Sequence, residues 1–140
     1  MNEDFIETTC SKNKLIDGAH DILEYLSSRY NMAILSNSFE RALRAKVESA
    51  GFDKYFKAIH SSELIKINKP AAGAFEYAIN SIGGDKNSSI MIGDNLSTDI
   101  MGARNSGIDQ IWLSAEDNRT EIDFVPTHTI SSLFELRDIL

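Results

Sequence analysis

A hydroxyl, an ammonium and two carboxylates stand along this chain in an order that suits phosphate and metal chemistry. Ser36 follows the apolar run Met32-Ala33-Ile34-Leu35, Lys69 precedes Pro70, and Asp94 follows Ile90-Met91-Ile92-Gly93, with Asp99 five residues later. Lys69 and Ser36 are donors suited to phosphate oxygens, and Asp94 is a hard oxygen ligand suited to Mg²⁺. Each also has a plainer use. Ser36 or Ser38 could cap a helix beginning near Phe39, and a lysine is usually a surface residue. Asp94 fits a turn, and Asp99 fits the first turn of a helix, where the macrodipole favours an anion.

The intervening elements decide where these residues lie. Ile22, Leu23, Leu26 and Tyr30 recur at helical spacing, and the Met32–Leu35 run then reads as a doubly buried strand. Leu43, Val47 and Ala50, closed by Gly51, make a second helix, followed by a strand over 57–61. Lys69-Pro70 opens a third helix lined by Phe75, Ala78, Ile79 and Ile82, with the proline in its first turn and Gly83-Gly84 as its stop. Ser89–Gly93 is the next strand, a short helix ends at Gly107, and strands at 110–113 and 128–130 precede a last helix on Leu133, Leu136 and Leu140. Helices alternating with short buried strands predict an α/β fold with a parallel sheet covered on both faces. Ligands in such folds sit at the carboxyl ends of the strands. Ser36 and Asp94 each end a strand, and Lys69 opens the helix that follows another.

Composition narrows the partners. The 140 residues, 42% hydrophobic and 25% charged, are those of a single globular unit. A net charge of −7 supplies no basic field, so neither nucleic acid nor an anionic membrane is expected. No apolar run approaches the ~18 residues of a membrane span. A lone cysteine, Cys10, and three scattered histidines offer neither an internal disulfide nor a zinc spacing. Together with an acidic N-terminus, this predicts a cytoplasmic protein. P-loop and dinucleotide fingerprints are absent.

The order Ser36-Asn37, then Lys69-Pro70, then Gly93-Asp94-Asn-Leu-Ser-Thr-Asp99 with Gly102-Ala103 resembles motifs two, three and four of the haloacid dehalogenase-like hydrolases. The tail, Trp112-Leu113-Ser114 and Pro126 to Leu136, is similar to the noncanonical pyrimidine 5′-nucleotidase branch. The resemblance implies a three-layer Rossmann-like core and Mg²⁺-dependent hydrolysis of a phosphomonoester, a nucleotide or another small phosphorylated metabolite. It further implies that Ser36 and the Asn37 amide bind phosphate oxygens and that Lys69 neutralises the phosphate and orients the nucleophile. Asp94 would ligate Mg²⁺, and Asp99 would support the metal directly or through water.

One motif departs. The family's first motif, Asp-x-Asp at the end of the first strand, supplies the nucleophile and the acid/base, and the eleven aspartates here contain no pair two residues apart. Residues 2–9 resemble the last helix of the family's cap instead. The domain expectation is therefore a cap-helix remnant and linker over 1–14, then an α/β core over 15–140 that lacks its first strand and most of its cap. Without those aspartates the chain as given is expected not to turn over substrate. A non-catalytic phosphate-binding, metal-binding or assembly module derived from the same core is the alternative. The missing strand would leave a gap between the strands ending at Ser36 and Asp94. Three closures are open: direct pairing of those strands, filling by the N-terminal residues, or a strand from another chain. A homodimer formed by strand exchange is favoured, because it keeps the spacing of both faces.

Overall fold

The computed structural model describes residues 4–7, 19–114 and 124–140. Six parallel strands form one sheet: β1 (Asp4–Glu7), β2 (Asn31–Ser36), β3 (Ala58–Ser61), β4 (Ser89–Gly93), β5 (Asp109–Leu113) and β6 (His128–Ile130). Their order is β3-β2-β1-β4-β5-β6, which reverses direction between β1 and β4. In an open α/β sheet the crevice outside the strand ends at such a reversal is where ligands bind.

Side-chain alternation along the strands builds two cores. Met32 and Ile34 of β2 and Ile92 of β4 face one side, where α1 (Ala19–Ser27) contributes Ile22, Leu23 and Leu26 and α2 (Glu40–Ala50) contributes Leu43 and Val47. Leu136 of α6 (Leu136–Ile139) completes that layer. Leu35 and Met91 face the other side, against Ala74, Phe75, Ala78 and Ile79 of α4 (Ala72–Ser81) and Ala103 of α5 (Met101–Asn105). A period of two on the strands and of about 3.6 on the helices gives three layers with the sheet in the middle. The strand and helix expectations thus hold in outline, and a one-turn helix α3 (Ser62–Ile65) adds to them.

The structure differs from the sequence reading at the centre of the sheet. The gap is closed neither by direct pairing of β2 with β4 nor by a second chain. The chain's own residues 4–7 fill it, with Phe5 opposite Met32 on one side and Ile90 on the other. The segment likened to a cap helix is thus a strand over these four residues, and residues 8–14 lie outside the described ones. The physical reason is local. Four residues as a helix form about one turn, whose nucleation fixes several dihedrals for a single hydrogen bond. In the slot the same residues complete two buried ladders whose unpaired groups would cost about 1–3 kcal/mol each. The vacancy that motivated a homodimer is therefore filled from within.

A second difference concerns Pro70. Helix α4 begins at Ala72, with Ala71 as its N-cap, so Lys69-Pro70 lies in the loop before the helix rather than in its first turn. Asn37 holds that loop in place through the Lys69 backbone.

The central position of β1 gives a direct test. Proline at Ile6 removes an N–H from a strand paired on both sides and orphans a carbonyl on β2 or β4. Ile6→Pro should cost about 1–3 kcal/mol, seen as a lower midpoint in urea unfolding. An unchanged midpoint would show that β1 does not close the slot.

Candidate active site

Ser36 ends β2 with its side chain buried at the sheet edge. Its hydroxyl lies 2.6 Å from that of Ser38 and accepts the Ser38 N–H at 3.2 Å. Neither serine caps α2. That helix has Phe39 at its N-cap with no side-chain cap bond, and Glu63 accepts the Glu40 N–H at 2.8 Å instead. The capping use of Ser36 is thereby excluded. Two hydroxyls sharing one hydrogen bond also keep one O–H for an outside acceptor.

Asn37, the next residue, joins β2 to the loop after β3. Its side-chain amide donates to the Lys69 carbonyl at 3.0 Å, and its carbonyl oxygen accepts the Lys69 N–H at 2.9 Å. This two-way bond fixes the Lys69 backbone as a neighbouring strand would. Sequence reasoning gave Asn37 a backbone role, whereas its side chain is committed to positioning Lys69.

Lys69 is buried, 5% exposed, and its ammonium donates to Asp99 Oδ1 at 2.6 Å. Asp99 is 1% exposed, and its second oxygen accepts the Asn95 N–H at 3.2 Å. Burial pushes the Asp99 carboxyl above the ordinary carboxylate range. The Lys69 charge and the hydrogen bonds from Lys69 and Asn95 oppose that rise, and the Asp94 carboxylate adds to it. The dehydration of Asp99 thus outweighs the attraction of its partner, as is common for ion pairs taken out of water. With both oxygens engaged inside the protein, Asp99 is placed to hold Lys69.

Two glycines allow this approach. A Cβ at Gly93 would come within 2.7 Å of Asp99 Cβ and Cγ, so a side chain there would displace the carboxylate. A Cβ at Gly102 would come within 2.9 Å of both Phe75 and Pro70, so its absence lets α5 seat against the loop carrying Lys69. Between Asp94 and α5 the chain makes a π-helical turn over Leu96–Ile100, an irregularity found mostly at functional sites. Asn95 caps that turn, with Oδ1 accepting the N–H groups of Ser97 and Thr98 at 3.0 Å. Asp94 itself is half-buried at the end of β4, where its carbonyl accepts the Trp112 indole N–H at 3.2 Å.

Ser36, Asn37, Lys69, Asp94 and Asp99 are therefore brought to one edge, joined from Asn37 through Lys69 and Asp99 to Asn95. Ser38 and Asn95 were missed as participants. The Asn-x-Ser-Thr pattern of an N-cap was the available signal for Asn95, while the Ser38 contact is a matter of loop geometry.

The Lys69–Asp99 pair yields a double-mutant prediction. Asp99→Asn and Lys69→Met should each lower stability, and the two together should lower it by less than the sum of the single losses. A pH effect accompanies it. Because burial raises the Asp99 carboxyl above its value in the unfolded chain, its linkage favours folding fully below the ordinary carboxylate range and fades as pH rises through the folded value. Chemical unfolding across this range should show that decline in wild type and not in the double variant. Additive single effects, or identical pH profiles, would contradict the coupling.

The comparisons agree with this geometry. The haloacid dehalogenase-like hydrolase family matches residues 1–113. The chain is 30% identical over 141 residues to pyrimidine 5′-nucleotidase YjjG of Escherichia coli, covering all of this chain and 63% of that protein. It is 31% identical over 131 residues to pyrimidine 5′-nucleotidase PynA of Streptococcus pneumoniae, covering 92% of this chain and 55% of that one. The putative HAD-hydrolase YfnB of Bacillus subtilis, solved bound to magnesium, superposes with a TM-score of 0.81 at 29% identity, over 89% of this chain and 55% of its own. The chain thus spans between about half and two thirds of the length of these relatives. No helix among the described residues is long and apolar enough to cross a membrane. With a matching family profile over most of its length and the second, third and fourth motifs gathered at one edge, this chain belongs to the haloacid dehalogenase-like hydrolases.

Proposed function

We propose that the chain is the phosphate- and Mg²⁺-binding core of a cytoplasmic phosphomonoester hydrolase acting on a nucleotide or another small phosphorylated metabolite. The observation that carries this reading is the hydrogen-bonded run from Asn37 through Lys69 and Asp99 to Asn95, which ties a buried ammonium to the carboxyl edge of the sheet where the Ser36–Ser38 hydroxyl pair ends β2. Ser36 and the Asn37 backbone amide would take phosphate oxygens, and Lys69 would neutralise the developing charge. Asp99 fixes Lys69 and would support the metal, directly or through water.

Mg²⁺ fits the donors present. It takes one or two carboxylates and completes its shell with water and substrate phosphate. Asp94 offers such a carboxylate, and no group of three or more His, Cys, Asp or Glu stands together among the described residues. When bound, the ion would neutralise charge on the phosphate oxygens. The likeness to two pyrimidine 5′-nucleotidases supports a nucleotide as the phosphate ester.

A second reading is favoured by one observation. No two aspartates stand two residues apart, so the nucleophile and acid/base of the first motif are not in this sequence. Positioning and charge remain, and the chain would bind a phosphate ester without turning it over.

One measurement tests the metal assignment and a second tests turnover. Calorimetric titration with Mg²⁺ should give weak binding that Asp94→Ala abolishes and Asp99→Asn reduces, and unchanged affinity in Asp94→Ala would remove the metal assignment. Hydrolysis of a generic phosphomonoester should be no faster than in Lys69→Ala. Turnover well above that control and lost in Ser36→Ala would show a nucleophile other than the family's aspartate.

A further inference from the structure

Asp94 stands one residue beyond the β4–β5 ladder, whose last pair at that end is Gly93 opposite Trp112. Its half-buried backbone carbonyl therefore needs a donor from outside the strand pattern. Trp112, 2% exposed, supplies one, its indole N–H reaching that carbonyl at 3.2 Å. Phenylalanine or leucine would also fill a buried strand position, and neither carries a side-chain donor.

The same peptide unit is held at its other end. Asp94 contributes the carbonyl and Asn95 the N–H of one planar group, and that N–H donates to Asp99 Oδ2 at 3.2 Å. The next carbonyl, that of Asn95, accepts the N–H groups of Asp99 and Ile100 at 3.0 and 3.2 Å. Trp112 and Asp99 work from one face of the sheet, since Trp112 lies in register beside Gly93, and Gly93 is where the Asp99 carboxylate finds room. A peptide plane gripped by an indole at one end and a carboxylate at the other has little freedom to turn about the Asp94 Cα. The rotamers open to a side chain depend on its own φ and ψ, so this grip bears on the Asp94 carboxylate.

We propose that Trp112 is a positioning residue for the metal ligand Asp94: together with Asp99 it clamps the Asp94–Asn95 peptide and so aims the Asp94 carboxylate at the cation. The proposal rests on the reading of Asp94 as the Mg²⁺ ligand and adds a residue that touches neither metal nor substrate. It also joins the buried Lys69–Asp99 pair to the metal through one peptide group. Mg²⁺ demands near-ideal octahedral geometry, so a carboxylate whose backbone turns freely holds it less well. Trp112 is the chain's one tryptophan, which makes its indole N–H a single reporter of that peptide.

The test is Mg²⁺ titration of the ¹⁵N-labelled chain by NMR, following the Trp112 indole N–H and the Asn95 backbone amide. In wild type the two signals should move on the same binding curve, and in Asp94→Ala neither should move. A lone tryptophan can be replaced biosynthetically, by β-benzothienylalanine, in which sulfur takes the place of the N–H, or by 5-fluorotryptophan, which keeps it. The sulfur analogue should weaken Mg²⁺ affinity about 2- to 10-fold, the range of a single hydrogen bond. Trp112→Phe should weaken it by at least as much, and the fluorinated protein should bind as wild type does. Ile22→Val, in the core layer on the other face, should lower the urea midpoint and leave Mg²⁺ affinity unchanged. Wild-type affinity in either protein lacking the N–H, or equal weakening in both analogues, overturns the clamp and leaves the metal site standing. Absence of Mg²⁺ binding in wild type, or its persistence in Asp94→Ala, overturns the metal reading and the clamp with it.

Discussion

A buried ammonium held 2.6 Å from a buried carboxylate organises this molecule's functional edge. Taking both charges out of water is costly, and burial raises Asp99 despite its partner, so the pair persists only because the surrounding backbone fixes it. Asn37 clamps the Lys69 main chain from the end of β2, and Asn95 donates to Asp99 from the end of β4. The result ties three separate segments together at the carboxyl end of the sheet. A structure built only for stability would gain as much from an apolar pair of the same volume.

That arrangement depends on what lies beneath it. Strand β1 spaces β2 and β4 apart, and with them Ser36 and Asp94, on either side of the switch point where ligands bind in open α/β sheets. Gly93 and Gly102 work at closer range. One admits the Asp99 carboxylate against the strand end, and the other lets α5 settle on Phe75 and Pro70. Packing and chemistry meet in these two residues, because any side chain at either position would push against a group that sets the position of Lys69 or Asp99.

Much of this was legible in the sequence, and particular residues show why. The run Met32–Leu35 was apolar at every position, which marks a strand covered on both faces, and the spacing of Phe75, Ala78, Ile79 and Ile82 marked α4 through helical periodicity. Ser36, Lys69 and Asp94 were placed by a rule about strand ends, and their order linked them to a family. Asp4–Glu7 was not legible, because four residues carry too little period to tell strand from helix and only the unpaired edges of β2 and β4 decide. The start of α4 was misplaced for a related reason. Pro70 suits a helix's first turn, yet the Asn37 clamp, a contact across 32 residues, keeps it in the loop. Phe39 at a helix N-cap was likewise invisible, since its release from capping depends on Glu63 of another helix.

An anion site built on Lys69 at this edge has a direct structural signature. A crystal structure of the chain grown with Mg²⁺ and tungstate, a heavy phosphate mimic visible by anomalous scattering, tests it most directly. The tungstate should lie within hydrogen-bonding distance of the Lys69 ammonium and the Ser36 hydroxyl. Anomalous density elsewhere on the molecule, with the Ser36–Lys69 edge holding only water, would contradict it.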